Sequence, residues 1–247
     1  MIAAAAICPC PPLLAAELTG QADILPDLRA ACETAVKLLL SAAPDVVVVV
    51  GPDEETGTWD PAGRLDLAAY APALGLPGRP ARPAVPLPLA LGIGGLLLDQ
   101  AGYAGPRAYQ GVDGSAAPET CQRLGRDLAA AAPRVGMLAV GDGSARRSPS
   151  APGYLDERAA PFDAAVERAV RDGDLPALAA LDPLLAADLM AVGRPAWQVL
   201  AAALSAAALS AATPSAATPA ASRPRTEILY SDAPLGVAYL VATLAPR

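Results

Sequence analysis

The stretch IAAAAICPCPPLL, residues 2–14, decides how this chain is read. An apolar run of this length, stopped by prolines, reads as a buried strand whose C-terminal end opens into a loop. In open α/β sheets that end of a parallel strand is where ligands bind. Cys10 falls there. A second run, Val46 to Val50, is five valines in a row, the mark of a strand covered on both faces, and it stops as abruptly in Gly51-Pro52-Asp53-Glu54-Glu55. Between the two, residues 26–42 follow a helical pattern. Leu25, Leu28, Cys32, Val36 and Leu39 line one side, while Arg29, Glu33 and Lys37 can face water. Strand, helix and strand in that order make a right-handed unit that brings Cys10 and Asp53 to the same sheet edge.

The rest of the chain extends this pattern. A third buried run, VGMLAV at residues 135–140, ends in the polar turn Gly141-Asp142-Gly143-Ser144-Ala145-Arg146-Arg147. Residues 107–112 read as a short strand. Residues 115–132 read as a helix capped by Ser115, with Pro118 in its first turn. Residues 89–101 read as a helix in which Gly92, Gly94 and Gly95 permit close packing. The Gly- and Pro-rich segment 56–88 fits a hairpin or an irregular wall, and 156–207 fits a run of helical segments. Two strand-like runs, 227–230 and 235–244, flank Ser231-Asp232-Ala233-Pro234. The Ala/Ser/Thr/Pro segment 205–225 is expected to be a mobile loop inside one domain spanning residues 1–247. The expected fold class is α/β, with a central mixed or largely parallel sheet flanked by helices.

Composition narrows the chemistry. Hydrophobic residues make up 53% of the 247 but aromatic ones only 4%, so small side chains, alanine above all, fill the interior. A net charge of −7 with a single lysine, Lys37, argues against nucleic acid or an anionic membrane as the partner. No apolar window approaches the length of a membrane span, and the opening run has no basic segment before it, so a cytoplasmic location is expected. A small-molecule ligand, a protein partner or a homo-oligomer is compatible with this surface. Cys8, Cys10, Cys32 and Cys121 are expected as thiols, with Cys32 and Cys121 in the core. There is no histidine. That absence removes the usual base for a serine nucleophile and the usual ligands of a zinc protease.

Taken in order, CPCPPLL, VVVVVGPD, VGDGSA and YSDAPLGVAYLV resemble the class III extradiol ring-cleavage dioxygenases, the family of the protocatechuate ring-opening enzyme's catalytic subunit and of the Memo-like proteins. The segment GDLPALAALDP at residues 173–183 extends the resemblance, which runs over most of the chain. In that family two histidines and a carboxylate hold Fe(II), and a further histidine serves as acid and base. The resemblance implies that the metal positions here are Cys10, Asp53 and Asp232 and that the acid/base position is Ala145. It also implies an extradiol dioxygenase-like fold.

Every family histidine is replaced, and this changes what the site could do. A thiolate and two carboxylates bring about three negative charges to a divalent ion, which disfavours a further anion such as catecholate. An alanine transfers no proton. The ring-opening reaction is therefore expected to be absent or greatly reduced. Three uses of the rim remain. It binds a ligand or a protein partner without chemistry; or Cys10, Asp53 and Asp232 hold iron or zinc for an oxidoreductase or other enzyme; or a small molecule is handled without metal, through Cys10 as nucleophile or through Arg146 and Arg147 gripping an anion. Cys8, Glu54, Asp142, Ser144 and Arg146 are the candidate ligand-binding residues.

Overall fold

A computed structural model describes residues 1–19, 24–70, 82–211 and 223–246. The first half of the chain contributes β1 (Ile2–Cys8), α1 (Ala16–Thr19), α2 (Pro26–Ser41), β2 (Val46–Asp53), β3 (Gly57–Trp59), β4 (Arg64–Leu65), β5 (Pro86–Leu87) and α3 (Leu89–Gln100). The second half adds β6 (Arg107–Asp113), α4 (Pro118–Ala129), β7 (Val135–Val140), α5 (Ala159–Arg171), α6 (Leu175–Ala179) and α7 (Pro183–Asp188). It closes with α8 (Arg194–Ala211), β8 (Arg225–Asp232) and β9 (Tyr239–Ala245).

Seven strands form one sheet in the order β3-β6-β2-β7-β1-β9-β8. The four central strands β6, β2, β7 and β1 are parallel, whereas β3 and the β8–β9 pair run antiparallel at the two margins. The sheet is therefore mixed and largely parallel, as expected. β4 and β5 make a separate two-stranded ribbon, which is how the Gly/Pro-rich wall resolves. The part of that wall at 71–81 lies outside the described residues.

Side chains of successive strand residues point to opposite faces, and this sorts the core into two layers. Ala5 and Ile7 of β1, with Val48, Val50, Met137 and Ala139, face α4, α5 and α8. Ala6 and Cys8, with Val47, Val49, Leu138 and Val140, face α2 and α3. Cys32 and Cys121 are fully buried, one in each layer.

Helix α3 reaches the sheet through its glycines. A Cβ on Gly94 would lie 2.4 Å from Val49 Cγ1, and one on Gly95 would lie 2.6 Å from the Tyr109 hydroxyl. On the other layer Gly125 of α4 leaves no room for a methyl against the Val199 carbonyl of α8, 2.3 Å from where its Cβ would sit. Small residues thus set the helix spacing in both layers, as an interior poor in aromatics requires.

Several boundaries differ from the sequence reading, β9 among them, which begins at Tyr239 rather than at residue 235. Ser115 does not cap α4. It sits in the turn after β6, its N–H and hydroxyl both donating to Asp113 Oδ1 at 2.6 and 2.7 Å, and the helix begins at Pro118 with Ala117 at the cap position. A carboxylate at the strand end competes successfully for that serine. The segment expected as a loop from residue 205 is helical through Ala211, because alanine is the strongest helix former, and Ser205 is accommodated by turning its hydroxyl back to the Ala201 carbonyl. Arg225, at the other limit, already belongs to β8. Residues 212–222 lie outside those described. Among the described residues no helix is long and apolar enough to cross a membrane.

Candidate functional site

The C-terminal ends of β1, β2 and β7 share one edge of the sheet, and β8, parallel to β1 by two antiparallel steps, ends there as well. Cys10, Asp53, Asp142 and Asp232 therefore reach one rim. Reaching the rim does not bring them together.

Cys10 and Asp142 do meet. The Cys10 N–H donates to Asp142 Oδ1 at 2.7 Å, closing the turn after β1 onto the turn after β7. The Cys10 side chain is 4% exposed and packs in the α2/α3 layer. Burial first, and then the Asp142 carboxylate, push the Cys10 thiol well above its ordinary range. Burial also pushes Asp142 up to about 6, against the pull of the hydrogen bond from Cys10. The buried Tyr239 phenol is raised by its own burial and by the nearness of Asp142 and Cys10. Each group of this cluster is shifted toward its neutral form, Asp142 only as far as about 6. A thiol held protonated is a poor nucleophile, so the nucleophilic role considered for Cys10 is not supported by its surroundings.

Asp53 faces the other way. Its Oδ2 accepts from the Trp59 indole N–H at 2.8 Å and its Oδ1 from the Glu54 N–H at 2.8 Å, which ties the end of β2 to β3. Glu54 is exposed. Asp232 is exposed as well, and its Oδ1 accepts from the Ala233 N–H at 2.7 Å. Among the described residues no three His, Cys, Asp or Glu side chains are grouped so as to hold a metal ion. The expected set of Cys10, Asp53 and Asp232 is thus not assembled, and iron or zinc does not fit these donors. The reason is reach. β7, β1 and β9 separate β2 from β8, so at roughly 4.8 Å per strand Asp53 and Asp232 start about 19 Å apart. Each of the three has also turned to another partner.

Cys8 is fully buried in the α2/α3 layer, hydrogen-bonded to the Cys32 thiol of α2, and held well above the ordinary thiol range by that bond, by burial and by the charge of its neighbour. Ala145 is 8% exposed, and its N–H donates to the Leu189 carbonyl at 3.0 Å. Its methyl occupies the position assigned to acid/base work.

Ser144 leads to the part of the rim that the sequence reading missed. Fully buried, it gives its N–H to Asp163 Oδ1 at 2.9 Å and its hydroxyl to Asp163 Oδ2 at 2.5 Å. Arg147 reaches the same carboxylate at 3.1 Å. Burial lifts the Asp163 carboxyl above its ordinary value, and the Ser144 and Arg147 hydrogen bonds oppose that lift. Arg147 is therefore engaged, while the neighbouring Arg146 keeps a buried Nε without a hydrogen-bond partner among the described residues.

Asp163 lies beside a cleft of about 180 Å³ between α5, the start of α8 and the β8–β9 turn, lined by Arg147, Asp163, Glu167, Trp197, Ser231 and Asp232 among others. The signal for Asp163 was present in the sequence. It falls on the apolar stripe Ala159, Phe162, Val166, Val170 of α5, where a carboxylate needs a buried partner. Trp197 had no comparable signal, being one large residue in an alanine-rich helix.

No family model matches this sequence, and no curated protein matches it. Among solved structures the fold is similar to that of the uncharacterized protein JW3007 from Escherichia coli K12. The two are 14% identical, with a TM-score of 0.54 over 98% of this chain and 99% of that one. At that identity the likeness concerns the fold alone.

Proposed function

We propose that this chain is a small-molecule-binding protein on an extradiol-dioxygenase-like scaffold and that it does not open aromatic rings. The observation that carries this reading is the closed state of the strand-end positions. Cys10 is buried against Asp142, Asp53 holds Trp59, and Ala145 offers a methyl where a proton carrier would be needed. Ring opening by the extradiol route requires a metal with open positions and a group that moves protons. The side chains at these positions supply neither. What the rim retains is an enclosed polar wall beside α5, suited to recognition.

The test is an assay for ring-opened product from catechol and protocatechuate after anaerobic loading with Fe(II). The expected result is no product above the metal-only control. Turnover at roughly 1 per second or faster, within the ordinary enzyme range, overturns the proposal. Metal analysis of protein purified without chelator is expected to find no stoichiometric iron or zinc that depends on Cys10. A metal lost on Cys10→Ser would equally refute it.

A further inference from the structure

Strand β8 ends the sheet with one edge unused. β9 pairs with it on one side, and no strand follows on the other. Among the described residues, the outward N–H and C=O groups of β8 have no backbone partner. Such an edge is a template for another strand. The opposite margin is different, for β3 has three residues and β8 has eight. β8 also contains neither lysine nor proline, the residues that commonly blunt an edge, and Pro224 and Pro234 stand outside it. Its one interruption is a bulge. Ile228 pairs with Ala242 and Tyr230 with Val241, which leaves Leu229 as the extra residue.

The bulge decides which side chains share a face. Thr226 and Ser231 turn to α5, their hydroxyls donating to the Arg171 carbonyl at 2.7 Å and to Glu167 Oε2 at 2.8 Å, and Ile228 packs in the same layer. Leu229 and Tyr230 both pack in the α2/α3 layer. Alternation then places Arg225, Glu227 and Asp232 on that second face. With Leu229 set aside, seven ladder positions remain, and the series matches its own reverse. Arg225 falls opposite Asp232, Thr226 opposite Ser231, Glu227 opposite Tyr230 and Ile228 opposite itself, each pair on one face of the sheet. Arg225 and Asp232 are both exposed, and neither has an ion-pair partner among the described residues. Opposite charges directly across an antiparallel pair attract, and like charges there repel.

From this self-complementarity we infer that β8 is a dimerisation edge. A second copy of this chain lays its own β8 antiparallel to the first, with Ile228 meeting its counterpart on a two-fold axis and Arg225 of each copy meeting Asp232 of the other. An isologous contact needs a pattern that reads alike in both directions, and pairing of the two β8 edges leaves neither exposed. A bound peptide of unrelated sequence would not require that symmetry. The inference goes beyond the ligand-binding reading, and the ring-opening assay does not bear on it.

The experiment is sedimentation velocity of the full chain at low salt, from about 1 to about 500 μM, with a reversible dimer of micromolar affinity expected for an interface of this small size. Arg225→Asp and Asp232→Arg each put like charges at both symmetry-related contacts. Each alone is expected to weaken the dimer about tenfold. Mixed, the two variants place Asp opposite Arg at both contacts, and the mixture is expected to associate about as tightly as the parent. Both positions are exposed, so the circular dichroism of each variant should match the parent's. A parent chain that stays monomeric throughout the range overturns the inference. So does a dimer that neither single variant weakens, or a mixture no tighter than either variant alone.

Discussion

Two polar clusters stand on the same rim and are built to opposite ends. The Cys10–Asp142 pair closes the β1 and β7 turns over the α2/α3 layer, and burial shifts both groups toward their neutral forms. The Asp163 cluster lies over the other layer, where Ser144 and Arg147 converge on one carboxylate while Trp197 nearby lacks an acceptor. The first is a clasp and the second borders an opening. The position of a motif at a strand end therefore says where chemistry can be placed, and hydrogen-bond satisfaction says whether it is.

The contrast breaks most visibly at Asp163. Replacing it by Ala strands the fully buried Ser144 N–H and hydroxyl and leaves Arg147 without its partner. Removing one side of a largely buried ion pair typically costs 3–5 kcal/mol, and a loss of about 3 kcal/mol or more in urea unfolding is expected. Asp163→Asn keeps the acceptor for one donor and should lose roughly half as much. If Asp163→Ala unfolds at the same urea concentration as the parent, the cluster gives the fold no support.

The clasp responds to pH instead. Asp142 binds its proton more tightly when folded, at about 6, than in the unfolded chain, near the ordinary 3.8. Its contribution is fully present below about pH 4 and is lost as pH rises through 6, by up to about 3 kcal/mol at 1.36 kcal/mol per pH unit. Asp156, held down to about 2 by Arg158, acts in the opposite sense at lower pH. The difference between parent and Asp142→Asn isolates the Asp142 effect. The variant is expected to match the parent near pH 4 and to exceed it by about 1–3 kcal/mol at pH 7.5. A constant difference across that range would place the carboxylate in water and dissolve the clasp.

Thiol reactivity sharpens the same point without a mutation. All four cysteines are buried, and burial raises Cys10 and Cys121, while Cys8 is raised chiefly by its bond to Cys32. Reaction with a disulfide reagent at pH 8 is expected to be slow in the native protein and to reach four thiols only on unfolding. One fast thiol in the native state, mapped to Cys10, would restore its candidacy as a nucleophile.

Much of the fold was legible because its signals are local. The valine run at 46–50 and VGMLAV at 135–140 are too uniformly apolar for half-exposed strands, and the glycines of α3 announced the close approach that Val49 and Tyr109 confirm. The rim was legible in outline, since strand ends share an edge by topology. Its chemistry was not, because that depends on which way short side chains turn. Asp53 turns to Trp59, six residues on in β3, a strand that pairs with β6 and that periodicity did not resolve. Ser144 turns to Asp163, nineteen residues on in another helix. Contacts of that kind are decided by packing between elements, for which the sequence carries only faint marks such as a carboxylate on an apolar stripe.

The smallest effect probes the third aspartate. Trp59 is 37% exposed and donates to Asp53 Oδ2, so Trp59→Phe removes one hydrogen bond at a wet site and keeps most of the ring's contact. Such a bond to a charged acceptor contributes about 1 kcal/mol or less where water competes. A loss below about 1 kcal/mol is therefore expected, with no change in the Trp197 indole signal of the free protein. Distance is the reason. Trp59 lies on β3 at one margin of the sheet, and the cleft is bordered by the ends of β8 and β9 at the other. If releasing Asp53 shifted Trp197, the two ends of the rim would be coupled through the β1 and β7 turns. The Cys10–Asp142 bond would then be the element that carries the coupling, and Asp142→Asn in the Trp59→Phe background should change the size of the shift.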